Sequence, residues 1–160
     1  MTTEEEISGR KVWFSYTTTK DFLDSIGLSE NDVLDNIKYI SKCFGLRYLK
    51  LFPLKLRSKD IERFHSIKGV LKKIEKCPGF QKFLRQFDKN NIEHHLFTAR
   101  VAAWLLDLEF DIELEPEIIS SNAGEPDILA VTACEKVVVE CKDINISEFF
   151  DHSKKRKSQI

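Results

Sequence analysis

Two short β-rich runs, "DILAVTA" and "KVVVECK", hold their charged residues at their outer ends. Runs this short and this rich in Val, Ile and Leu read as two strands with a tight connection, not as a helix. Side chains alternate faces along a strand. With Cys134-Glu135 at the turn, Ala133 faces Lys136, Val131 faces Val138, Leu129 faces Glu140 and Asp127 faces Lys142. Asp127, Glu140 and Lys142 then share one face. A symmetric four-residue loop keeps the same parity, whereas an odd loop sends the two carboxylates to opposite faces. Directly opposed Cβ atoms lie about 4.5–5.5 Å apart and diagonal ones about 7–8 Å. Both carboxylates can therefore touch one ion, with the lysine ammonium beside them.

That trio suits phosphodiester chemistry. Mg²⁺ is a hard cation held by one or two carboxylates and several waters. On a phosphodiester it polarises the phosphoryl oxygen, orients an attacking water and stabilises the leaving oxygen. The backbone carbonyl of Cys141, between the glutamate and the lysine, is a further candidate ligand. Lys142 either gives up a proton to help activate water or stays charged and stabilises the transition state.

Upstream, residues 1–18 read as a mobile or extended leader with "VWFSYTTT" as one strand, followed by a helical region. Thr19 caps "KDFLDSIG", Ser29 caps "ENDVLDNIKYISKCFG" and Ser58 caps "KDIERFHSIKGVLKKIEKC". "LRYLKLFPLKL" is ambiguous because Pro53 argues against a long helix. "FQKFLRQFDK" is one more short helix. From Asn90 a strong helix begins, with Ile92, Leu96, Ala99, Ala103 and Leu106 on one stripe and Phe97, Val101, Trp104 and Leu108 on another. Two apolar stripes predict a helix buried on two sides. "FDIEL" alternates as a half-buried strand, "SSNAGEPD" is loop chemistry, and Ser147 caps a last helix, "EFFDHSKKRKSQI".

This order and these residues resemble the PD-(D/E)XK nuclease superfamily. The match is Pro126-Asp127, twelve intervening residues, then Glu140-Cys141-Lys142, with apolar residues before the E-x-K. The resemblance covers roughly residues 90–160. It implies an α/β fold with a restriction-endonuclease-like αβββα core, preceded by a basic, mostly helical region over residues 1–89. The fourth core strand of that family has no counterpart, because only 18 residues follow Lys142. The chain then reads as a fragment, a shortened form, or half of an assembly in which a partner completes the sheet. The resemblance implies a Mg²⁺-dependent DNA nuclease, with Mn²⁺ as a substitute. Asp127 and Glu140 hold the metal, Lys142 assists, and Glu93 is the counterpart of the family's first-helix glutamate. Glu93 at the third helical position also has a purely structural reading, as a capping partner of Asn90. DNA, a homodimer or a larger DNA-processing complex are the partners implied. A binding module that keeps the fold without cutting is the alternative.

Charge distribution agrees with a polyanionic partner. Residues 42–89 carry 14 Lys/Arg against 4 Asp/Glu, net +10, and residues 107–151 carry 2 Lys against 13 Asp/Glu, net −11. Lys72, Lys73, Lys76, Lys82 and Arg85, with Lys154, Lys155 and Arg156 in the terminal "KKRK", are the candidate phosphate contacts. Adjacent helical positions point His94 and His95 about 100° apart, so the two do not readily chelate one ion. His65 and His152 are isolated. Apolar content of 42% and charged content of 32% fit a soluble globular domain. The acidic opening "MTTEEEISGRK" lacks the apolar stretch of a signal peptide, and no apolar run suits a membrane span. Four cysteines without CxxC or zinc-finger spacing read as reduced thiols of a cytoplasmic protein.

Overall fold

A β-hairpin opens the chain. Strands β1 (Thr2–Ile7) and β2 (Arg10–Thr17) pair antiparallel, from Thr2 opposite Ser15 to Ile7 opposite Arg10. Ser8 and Gly9 form the two-residue turn, both with positive φ, as the twist of a tight hairpin demands. The sequence pattern alone predicts only one strand here. β1 has a single core residue, Ile7, and is held instead by its ladder to β2, whose Val12, Phe14 and Tyr16 face inward. A third strand, β3 (Lys55–Arg57), joins β2 in parallel, with Tyr16 opposite Leu56. The computed structural model describes residues 1–117 and 126–142. The helix expected after Ser147, the residues 154–157 and most of "SSNAGEPD" lie outside the described residues.

Between β2 and β3 run α1 (Lys20–Ser25), α2 (Glu30–Phe44), a 3₁₀ turn (Gly45–Arg47) and the short α3 (Tyr48–Leu51). Thr19 Oγ1 accepts from Phe22 N at 3.2 Å, capping α1 as expected. At α2, Ser29 Oγ accepts from Asp32 N while Asp32 Oδ2 accepts from Ser29 N at 2.7 Å, a reciprocal capping box. The ambiguous segment resolves into α3, which stops before Pro53, and then β3.

Next come α4 (Ser58–Ile74) and α5 (Phe80–Gln86). α4 begins at Ser58 itself. Arg57 is the capping residue, its N–H bound by Asp60 Oδ2 at 2.9 Å, so the cap lies one residue earlier than Ser58. Arg47 reaches across to α5, donating from Nη1 to Leu84 O at 2.8 Å and from Nη2 to Phe87 O. Those carbonyls at the end of a helix would otherwise lack partners. Pro78-Gly79 ties this region to the chain near Leu114, since Pro78 O accepts from Leu114 N at 2.9 Å.

α6 (Ile92–Asp107) starts after Asn91, not Asn90, so Glu93 is its second residue and not a capping partner of Asn90; Asn91 makes no side-chain capping bond, and the helix packs on α4 and on strands β4 (Asp111–Leu114) and β5 (Ile128–Val131). Of its first apolar stripe, Leu96, Ala99 and Ala103 are buried, and Ile92 and Leu106 are partly buried against the core. Its second is not buried: Phe97, Trp104 and Leu108 are 44%, 59% and 49% exposed. The buried second side is instead formed by His95, Thr98, Ala102 and Leu105. Periodicity identifies residues that share a face, and the tertiary fold decides which faces are covered.

β4, β5 and β6 (Lys136–Val139) form an antiparallel sheet in that order. Ile112, Leu114, Ile128 and Ala130 join the core. That core is one cluster running from Ile7 to Cys141, with Phe14, Phe44, Tyr48, Phe52, Phe64, Phe83 and Phe87 linked by ring contacts at its centre. Residues 1–89 thus share their interior with the rest of the described chain. The molecule is mixed α/β, and none of its described helices is long and apolar enough to cross a membrane.

Candidate active site

The β5–β6 hairpin has a loop of four residues, Thr132 to Glu135, because Val131 pairs with Lys136. Thr132 shapes it. Its Oγ1 accepts from Cys134 N at 3.3 Å and Glu135 N at 3.1 Å, while its N–H donates to Glu135 O at 2.9 Å. A short polar side chain bonding its own backbone just ahead is a strong turn former. The pairing expected with Cys134-Glu135 at the turn is therefore slid by two residues. A shift of two leaves every side chain on the same face. The last ladder pair is Ile128 with Val139, so the next step out sets Asp127 across from Glu140.

Asp127 is bound on both sides. Its carbonyl accepts from Glu115 N at 2.9 Å, and its carboxylate Oδ2 accepts from Cys141 N at 2.5 Å. The aspartate thus ties the ends of β4 and β6 to its own strand. Lys142 Nζ sits 3.1 Å from Glu140 Oε1, with both side chains exposed. A pair in water is worth little to stability, so its significance lies in keeping the Lys142 ammonium beside the Glu140 carboxylate. Cys141, between them in sequence, is buried, and its thiol is pushed up by burial, opposed by the Thr98 hydroxyl of α6 and raised further by Asp127. All four cysteines are free thiols.

Glu93 is directed elsewhere. Its carboxylate pairs with Arg63 of α4. Two other residues, neither of them a candidate on sequence grounds, stand near the carboxylates. Glu115, buried at the end of β4, accepts from Gln86 Nε2 at 2.7 Å and holds Lys82 Nζ at its carbonyl at 3.1 Å. The only sequence signal for it is a Glu-Pro dipeptide closing an alternating strand. His95, whose spacing from His94 argues against chelation, is buried with its ring tilted against Phe87 at 5.0 Å and edge-on to Phe83 at 5.9 Å. Its Nε2 is enclosed without a hydrogen-bond partner among the described residues.

Burial pushes the His95 pKa below the ordinary histidine value. The neighbouring His94 pushes the same way, against the Gln86 carbonyl and the Asp127 charge. The unfolded histidine takes up a proton near its ordinary value of about 6.5, whereas the folded one resists. The unfolded state therefore binds more protons as the pH falls, and folding loses stability below that value. Urea unfolding at roughly pH 7.5 and pH 5.5 is expected to show a lower midpoint in acid. His95→Leu should shrink that difference, and an identical pH response in the variant would refute this assignment.

The basic candidates divide. Lys73 Nζ pairs with Asp107 at 2.7 Å, Lys72 Nζ lies 5.9 Å above the Tyr39 ring, and Lys82 is engaged by Glu115. Arg85 bonds back to Gln81 O of its own helix at 3.2 Å. Lys76 and Lys73 line a cavity of about 570 Å³ that also meets Asp111, Glu113, Leu129 and Val131. Lys73, Lys82 and Arg85 are thus engaged within the fold, to an α6 carboxylate and two backbone carbonyls. Lys154, Lys155 and Arg156 lie outside the described residues.

Two carboxylates and a backbone carbonyl are hard oxygen donors, the chemistry that suits Mg²⁺ with waters filling the remaining positions. Among the described residues no group of three or more His, Cys, Asp and Glu side chains is gathered to hold a metal. A two-carboxylate site of the Mg²⁺ kind needs no such group. No family model, no curated protein and no solved structure matches the chain.

Proposed function

We propose that this chain is a Mg²⁺-dependent nuclease that hydrolyses DNA phosphodiesters and has a restriction-endonuclease-like core. The observation that carries the proposal is the β5–β6 register, which ends at Ile128 opposite Val139 and so makes Asp127 and Glu140 the next opposed positions, with Lys142 paired to Glu140. Asp127, Glu140 and the Cys141 carbonyl are the residues that would hold the ion, with Mn²⁺ able to substitute. The bound ion would supply Lewis acidity toward the phosphoryl oxygen and an activated water. Asp127 is anchored for this by its bond from Cys141 N, which fixes the direction of one carboxylate oxygen. Lys142, kept near Glu140, supplies positive charge where the phosphate's negative charge grows. Glu93 is not assigned a part in it, given its pairing with Arg63.

Supercoiled DNA incubated with the protein and Mg²⁺ or Mn²⁺ is expected to become nicked or linear, and EDTA should stop the reaction. An inert wild type in both metals would sink the enzyme reading.

A second reading, a module that binds nucleic acid or protein without cutting, or works only inside a larger DNA-processing complex, has its own support. Lys73 and Lys82 are already paired within the chain, and among the described residues no third acidic ligand stands with Asp127 and Glu140. Thermal denaturation with and without metal separates the two. A metal site raises the melting temperature by mass action, and a binding module without one does not.

A further inference from the structure

We infer that the exposed face of α6 is a self-association surface, and that its occupant is a second copy of this chain arranged about a two-fold axis. This inference is independent of the nuclease reading, because none of its residues belongs to the carboxylate–lysine site.

Four apolar residues, Phe97, Val101, Trp104 and Leu108, run along α6 at spacings of 4, 3 and 4, the rhythm of a helix–helix seam. Three of the four are large and solvent-exposed. A monomer has little reason to expose a contiguous stripe of this kind, and such patches mark interaction sites. Read backwards, the spacing is the same. An antiparallel copy therefore sets Phe97 beside the partner's Leu108 and Val101 beside the partner's Trp104, and two-fold symmetry repeats each contact. This self-complementarity is what an isologous interface requires.

Charges beside the stripe obey the same symmetry. Arg100 and Asp107 each stand one residue before a seam residue, Val101 and Leu108, on the flank where antiparallel helices exchange salt bridges. Arg100 has no ion pair among the described residues, while Asp107 is held in place by Lys73. An antiparallel copy brings Arg100 toward the partner's Asp107, and the converse.

The stripe also borders a socket. A groove of about 400 Å³ lies between α4 and α6, with Val70 and Gly69 on one wall and Trp104 at its rim. At Gly69 a Cβ would meet nothing within 4 Å. An exposed tryptophan next to an open groove on a self-complementary face is the usual form of an interface anchor, and such aromatic anchors carry much of the binding energy.

Sedimentation velocity over micromolar to near-millimolar protein tests the inference. The wild type is expected to shift from monomer to dimer across this range. Trp104→Glu should raise the dimer dissociation constant by roughly thirtyfold or more. Gly69→Leu, which adds a side chain on the groove wall at a position where a Cβ has open space, should do likewise, while Trp13→Glu, on the other exposed tryptophan, should change nothing. Arg100→Glu should weaken the dimer, and adding Asp107→Arg should restore it. Circular dichroism checks that each variant folds. A wild type that stays monomeric throughout, or a dimer indifferent to Trp104→Glu and Gly69→Leu, overturns the inference and leaves the face to a different protein.

Discussion

Lys142→Ala is expected to lower metal-dependent DNA cleavage by about 10²–10⁴-fold while leaving the fold intact. Its side chain is 73% exposed and its single described ion pair, to Glu140, is also exposed. Substitutions of this kind usually change stability by less than about 0.5 kcal/mol. Loss of activity in a protein of unchanged urea midpoint would therefore report on chemistry alone. Asp127→Ala is a poorer probe. That carboxylate accepts from Cys141 N, so its removal leaves a backbone donor beside the sheet without its partner and should lower stability as well. Asp127→Asn keeps the acceptor oxygen and removes the charge. Its expected phenotype is a folded protein that neither cleaves nor gains stability from metal. Cleavage by Lys142→Ala at the wild-type rate would remove the lysine from the mechanism.

Gly79→Ala is expected to destabilise the protein by about 3 kcal/mol or more. Two causes add. Gly79 has φ of +81°, where an L side chain is strained by roughly 1–2 kcal/mol. Beyond that, a Cβ at this position would overlap the Leu114 carbonyl oxygen. That oxygen is backbone and cannot rotate away. The Pro78–Leu114 hydrogen bond beside it holds the two segments together, so relief of the overlap means weakening that bond. Gly27→Ala is the control. Gly27 also has positive φ, +69°, but a Cβ there meets nothing within 4 Å. It should cost only the backbone strain. Chemical denaturation of both variants measures the difference, and equal losses would show that the contact with β4 is unimportant.

Much of this architecture can be read from residue order, and the exceptions have local causes. The caps at Thr19 and Ser29 are legible because the hydrogen bonds that make them lie within four residues. The paired faces of β5 and β6 are legible because parity survives a slip of two, although the turn itself is not: Thr132 outcompetes Cys134-Glu135 by bonding two backbone N–H groups. β1 is illegible because "TTEEEI" has almost no apolar signal and exists through its partner strand. β3, three residues long, has too little sequence to show a period at all. At the site, the acids and lysine are visible as a spaced motif. His95 and Glu115 are not, since their importance depends on burial by Phe83, Phe87 and Gln86, which come from another helix or its edge. Glu93 shows the reverse. Its place on a helix points to the metal, and a cation on α4, thirty positions earlier, claims it.

The single core that joins the first hairpin to Cys141 has a consequence for how the molecule comes apart. Phe83 and Phe87, on one side of any cut near residue 90, pack against His95 on the other, and Leu114 N depends on Pro78 O. Neither portion keeps its interior when the other leaves. Unfolding should accordingly be all-or-none, with tryptophan fluorescence and far-ultraviolet dichroism tracing one coincident transition. A protease that nicks the connection near residue 90 should find its fragments still associated, and neither portion expressed alone should give a sharp melt.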